Sequence, residues 1–127
     1  MKKHKTQMTE QELDLLKSRV DNTDVASVEI TSYTVYRFNE RFDGITLLDV
    51  AKVFLDYELI EFNTNSGDRR VLLRGTEDLI TDKGRYNACI VYSLRNNRIV
   101  TAWLNNFHDH HDTLRIEEYD EDLEISW

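Results

Sequence analysis

Residues 108–112, His-Asp-His-His-Asp, hold three of the chain's four histidines, directly after the apolar run RIVTAWL and Asn105-Asn106-Phe107. Histidine is the side chain that exchanges its proton near neutrality, so such a cluster suits acid–base work. Metal-independent RNA cleavage needs a base for the 2′-hydroxyl, an acid for the leaving oxygen and cations for the phosphorane charge. His108 and His110 fit the first two roles, because they share one side if the strand runs on, with His111 opposed. Arg70 and Arg74 fit the third. A metal site needs three or four convergent ligands. His108, His110 and an aspartate can contribute, but there is no second His or Cys cluster elsewhere, so neither metal nor any other cofactor is expected. The plainest reading is a polar connection, with DHHD as a turn or helix start and Asp112 or Thr113 capping the segment TLRIEEYDEDLEISW.

Charge along the chain is uneven. The net charge is −8. Residues 112–127 hold seven acids against Arg115 alone, a balance of −6, while 69–98 holds seven bases against three acids, a balance of +4. A basic middle therefore precedes an acidic end. Affinity for nucleic acid comes largely from neutralising phosphates, and the overall charge opposes it. The acids Glu117, Glu118, Asp120 and Glu121 either screen the basic stretch or face a basic partner. Leu123, Ile125 and Trp127 alternate, which suits a short strand lying against the domain. The single cysteine, Cys89, excludes an internal disulfide and sits in NACIVYS as a buried thiol. No apolar run reaches the ~20 residues of a membrane span, and MKKHKTQMTE lacks a secretory core. A cytoplasmic protein without membrane contact is expected.

These groups must be positioned by one domain of 127 residues. Residues 1–8 are polar and expected to fray, leaving 9–127 as the domain. Thr9 with Glu12 reads as a capping box, and Leu13, Leu16 and Val20 form a helical stripe behind it. A second helix begins near Ser32 with Val35, Phe38 and Phe42 on one face, ending at Asp43-Gly44. A third has Thr46 as N-cap and Asp49 three residues on. The period then changes, and 57–62, 70–74, 86–94 and 98–104 read as strands, with Asn96-Asn97 as a tight turn. Residues 75–84 read as a long connection. The expected fold is α+β, with two or three N-terminal helices packed on one face of a four-stranded antiparallel sheet, the other face open, and an acidic C-terminal segment. On that open face Arg70 and Arg74 join Arg85, Thr101 and Trp103 as an RNA surface. The alternative is arginines that deter edge pairing.

The stretch ITSYTVYRFNERFDGITLLDVAKVFLDYELIEF, with RRVLLRG, ACIVYSL and RIVTAW after it, resembles small toxin-type ribonuclease domains. These are related to RelE, BrnT and the colicin-like C-terminal nuclease domains of polymorphic bacterial toxins. Arg37 and Arg41 match the paired helix arginines of that pattern. Gly44-Ile45 and Asp49-Val50 match the start of its second helix, Arg70 its arginine strand, and Thr101-Ala102-Trp103 its closing strand. The resemblance implies a toxin-like domain with a cognate antitoxin. It also implies that Arg37 and Arg41 contact RNA. Tyr33 stands where the pattern has histidine, four residues before Arg37. A phenol can donate a proton, but a reference pKa near ~10 suits it poorly to base work.

Two functions are compatible with these residues. The first is an RNA-binding, RNA-cleaving domain in which His108 or His110 is the acid–base group, Arg70 and Arg74 hold phosphate, and Tyr33 and Arg37 orient the substrate. The second is a non-catalytic acidic protein, a phage- or plasmid-type inhibitor, that blocks a host factor or a basic nucleic-acid-binding protein through Glu117, Glu118, Asp120 and Glu121.

Overall fold

The computed structural model describes residues 1–41, 46–111 and 115–127, with Phe38, Asn39 and Arg41 in backbone only. Phe42 of the expected helix face, the expected helix end at Asp43-Gly44, Ile45 and the cap at Asp112 or Thr113 lie outside the described residues.

Local signals are honoured first. α1 (Glu10–Asp21) is capped by Thr9, whose hydroxyl accepts from the Glu12 N–H while the Glu12 carboxylate accepts from the Thr9 N–H, and it buries Leu16 and Val20. α2 spans Ser32–Arg41. α3 (Leu47–Ala51) opens with a second reciprocal cap between Thr46 and Asp49, then tightens into a 3₁₀ turn at Lys52–Phe54 that buries Val53 and Phe54.

The sheet corrects the expected four antiparallel strands. The described residues form seven, in a mixed sheet: β1 (Lys2–His4), β2 (Glu29–Ile30), β3 (Tyr57–Asn63), β4 (Arg70–Gly75), β5 (Leu79–Thr81), β6 (Gly84–Ser93) and β7 (Arg98–Asn106). Their order is β1-β3-β4-β6-β7-β2, with β5 beside the start of β6. β2 pairs parallel to β7, and the other pairs are antiparallel. The extra strands are two or three residues long and carry no alternating apolar pattern, so only their tertiary pairing defines them. Lys2–His4, expected to be loose, pairs with Glu61–Asn63 and is almost wholly buried at Lys3 and His4. The expected connection at 75–84 contains β5 and the hairpin to β6.

One face of the sheet carries the main core, where Phe62, Val71, Leu73, Ile90, Tyr92 and Ile99 meet Leu16, Val20, Val50, Val53 and Phe54. The other face is not an open platform. Ile60, Leu72 and Cys89 are buried there, with Val91 and Trp103 packed beside them. A bulge between Leu59 and Glu61 turns Ile60 and Glu61 toward this face together. The β6–β7 turn occupies 94–97, and Asn97 takes the left-handed conformation (φ 50°).

The C-terminal segment is docked, and among the described residues no hydrogen bond or ion pair joins 115–127 to the basic 69–98 stretch. The Asp120 N–H donates to the Lys2 carbonyl (2.9 Å), the Tyr119 hydroxyl to Glu61 (2.8 Å), and Ile125 enters the main core. The segment thereby covers the outer edge of β1. Leu123–Trp127 forms no strand.

Candidate functional site

The alternation of β4, β6 and β7 puts Arg74, Asn87, Cys89, Trp103 and Asn105 on the second face, since Arg74 opposes Cys89, Cys89 opposes Trp103 and Asn87 opposes Asn105. Beyond Asn106 the chain leaves the strand and folds back, and the histidine loop lies over the polar end of this face. Arg74 is only 5% exposed. One of its Nη2 hydrogens goes to Asn87 Oδ1 (2.6 Å), and Nη2 also donates to the Phe107 carbonyl (3.0 Å). Nη1 donates to His110 Nδ1 (3.2 Å) and lies 3.6 Å from Glu58. Lys5 forms a short ion pair with the same Glu58 and reaches the His110 carbonyl.

Proton positions are set by these partners. A guanidinium has no acceptor, so His110 Nδ1 must accept and the ring proton sits on Nε2. His111 Nε2 faces Asn105 Oδ1 (2.9 Å) and therefore donates, the Asn105 amide group being turned to the carbonyls of Asn106 and Asp109. His4, 1% exposed, donates from Nε2 to the His111 carbonyl (2.7 Å) and accepts at Nδ1 from the Thr6 N–H. The neutral tautomer of His4 thus satisfies both ring nitrogens. The loop is fastened at each end, by Arg74 and by His4.

His108 does not join this arrangement. It is exposed, sits edge-on to Phe107 (5.7 Å between ring centres), and makes its hydrogen bond through the backbone to Asn106. The expected same-side pair of His108 and His110 therefore fails, because the strand stops at Asn106. Asn105 holds His111, which has φ 55°.

Three further arginines of the sheet face carboxylates as well. Arg70 binds Asp68 (2.9 Å), Arg85 clamps Asp78 through two nitrogens and stacks on Phe107 (4.0 Å), and Arg98 binds Glu29 (2.9 Å). Burial alone would raise the Asp68 carboxyl, but the Arg70 guanidinium, the Arg69 N–H and the Ser93 hydroxyl outweigh it and hold it below the usual carboxylate range. Thr101 is exposed and Trp103 half-buried on the second face. Tyr33 is exposed on α2 and lies under the Arg37 guanidinium (5.8 Å), while α2 flanks the β7 edge through Thr34 Oγ1 and the Val100 carbonyl. The Arg41 side chain lies outside the described residues. Cys89 is fully buried, and its thiol is pushed up to about 12, chiefly by burial.

Among the described residues, no group of three or more His, Cys, Asp or Glu side chains is placed to hold a metal ion. No helix among them is long and apolar enough to cross a membrane.

The acidic segment presents a different surface. Residues 116–118 form a 3₁₀ turn, and further backbone bonds link Tyr119 to Ile116 and Leu123 to Asp120. Glu117, Glu118, Glu121, Asp122 and Glu124 are exposed and Asp120 half-buried, while Tyr119, Leu123 and Ile125 face inward. Glu118 lies 3.7 Å from Lys2 and 4.0 Å from Arg115.

Lys5, Glu58, Asn87, Asn105 and His4 escape a reading by residue type. Parity can find two of them. Asn87 stands two before Cys89 and Asn105 two after Trp103, so both share that face, where a buried amide requires partners. His4 and Lys5 give no such signal.

Compared with protein-family models, curated proteins and solved structures, the chain finds no match in any of the three. The resemblance to toxin-type ribonucleases rests on its own residue pattern alone.

Proposed function

We propose that this chain is a non-catalytic binding protein that presents its C-terminal acidic segment to a basic partner, of the kind that itself binds nucleic acid. The observation that carries the reading is the division of labour among charges. Of the sheet arginines that a nucleic acid would need, Arg74 is turned inward, and Arg70, Arg85 and Arg98 each face a carboxylate of Asp68, Asp78 or Glu29 that offsets their charge toward a phosphate. The acids of 117–124 instead stand outside a segment fixed by Tyr119, Leu123 and Ile125. A charged surface held in place before binding loses less conformational entropy on association than a loose tail. Opposed potentials also speed encounter with a cationic partner.

A ribonuclease reading draws on one observation, the 3.2 Å contact between Arg74 and His110. In it, exposed His110 would exchange protons through Nε2 beside a cation. Arg74, however, is bound to Asn87 and the Phe107 carbonyl and has no open side toward a phosphate.

The two readings separate in one assay. The full chain is mixed in EDTA with a fluorescent arginine-rich peptide, and separately with a single-stranded RNA of equal length. Salt-sensitive binding of the peptide with intact, unbound RNA is expected. RNA retention or discrete cleavage, with no peptide binding, would overturn the acidic-partner reading and restore the catalytic one.

A further inference from the structure

A groove of about 460 Å³ runs between the 3₁₀ turn after α3 and the junction of β4 with β5. Its floor is apolar: Val53, Leu79 and Ala88 line it and belong to the main core. Leu55 forms an exposed wall, 79% accessible. One end is closed where the Thr76 N–H donates to the Asp56 carbonyl (3.2 Å). The rim carries Asp49, Asp56 and Glu77 against a single cation, Lys52, which lies 3.8 Å from Glu77. Asp49 is occupied by the α3 cap, accepting from the Thr46 N–H and hydroxyl. Among the described residues, Asp56 has no ion-pair partner for its carboxylate.

We infer that this groove is the seat of an arginine side chain from the basic partner. An apolar floor under an anionic rim suits a side chain whose stem is hydrocarbon and whose head is a cation. The volume falls in the range of small-ligand pockets and exceeds what one side chain fills, leaving room for the flanking backbone. A planar guanidinium can use both Asp56 and Glu77 through separate N–H groups, which an ammonium does less well. Glu77 is available for this because its exposed contact with Lys52 contributes little to stability. The inference rests on the partner being basic, and adds to the acidic segment a pocket that recognises one residue of that partner.

The test uses the full chain, ¹⁵N-labelled, titrated with an acetylated peptide alternating glycine and arginine, and with its citrulline counterpart. Saturable amide shifts at Leu55, Thr76, Leu79 and Ala88 with the arginine peptide only are expected. The double variant Asp56→Asn, Glu77→Gln, both at exposed positions, is expected to bind at those amides at least fivefold more weakly with an otherwise unchanged spectrum. Shifts confined to 115–124 would overturn the groove and leave the acidic-segment reading standing. Groove shifts unaffected by the double variant would overturn the assignment of the rim. No shifts anywhere would overturn both.

Discussion

Arg74 has the right residue type for a phosphate ligand, but its surroundings make it a structural cation. Replacing it strands Asn87 Oδ1 and the Phe107 carbonyl and leaves Glu58 and Lys5 to rebalance. Arg74→Met is therefore expected to destabilise the fold by about 3 kcal/mol in urea denaturation. Thr101→Val, at an exposed site on the same face, should stay within about 0.5 kcal/mol. Equal effects would remove Arg74 from its structural role. Cys89 makes a second prediction, because a thiol pushed up to about 12 is roughly one part in 10⁴ thiolate at pH 8. Alkylation of the folded protein should be slow and should accelerate sharply in denaturant. Asp68 gives a third. Its folded carboxyl lies below its unfolded value, so its stabilisation is complete above that value, near ~3.9, and is lost as pH falls through the folded one. Asp68→Asn should lower stability at pH 7 and flatten the loss of stability below about pH 4. An acid limb as steep as that of the parent protein would contradict this.

At the scale of elements, the parts that can be read from the sequence are those with local causes. The caps at Thr9 and Thr46 are written within four residues, and each is present as a reciprocal pair. The four longer strands show their β-branched and aromatic residues. β1, β2 and β5 do not, because Lys2–His4, Glu29–Ile30 and Leu79–Thr81 are strands only through their partners. The same limit hides most of the histidine loop. Its residue types are visible, but which ring meets Arg74 depends on where β7 stops. His4, at the opposite end of the chain, fastens that loop to β1. His4→Ala should therefore raise amide hydrogen exchange at 108–111 and in 2–6, while β6 stays protected. Exchange unchanged in the loop would mean that Arg74, Lys5 and Asn105 secure it without His4.

At the scale of the whole molecule, the net charge of −8 is arranged rather than spread. Among the described residues more than half of the cations lie in ion pairs within the chain, and a docked anionic segment covers the β1 edge, where an unpaired strand would otherwise invite association. This segment unites stability and recognition, since Tyr119 and Ile125 anchor it while the carboxylates face outward. Its location, more than the total charge, should determine binding. The most direct measurement compares two variants by calorimetric titration with an arginine-rich peptide. One neutralises Glu117, Glu118, Asp120 and Glu121; the other neutralises Glu10, Asp14, Glu40 and Asp82, changing the net charge equally. The first should lose at least about tenfold in affinity, and the second no more than about twofold, the general-field effect being screened by salt. Equal losses in the two variants would show that binding follows net charge alone, and would contradict the assignment of the C-terminal segment as the recognition surface.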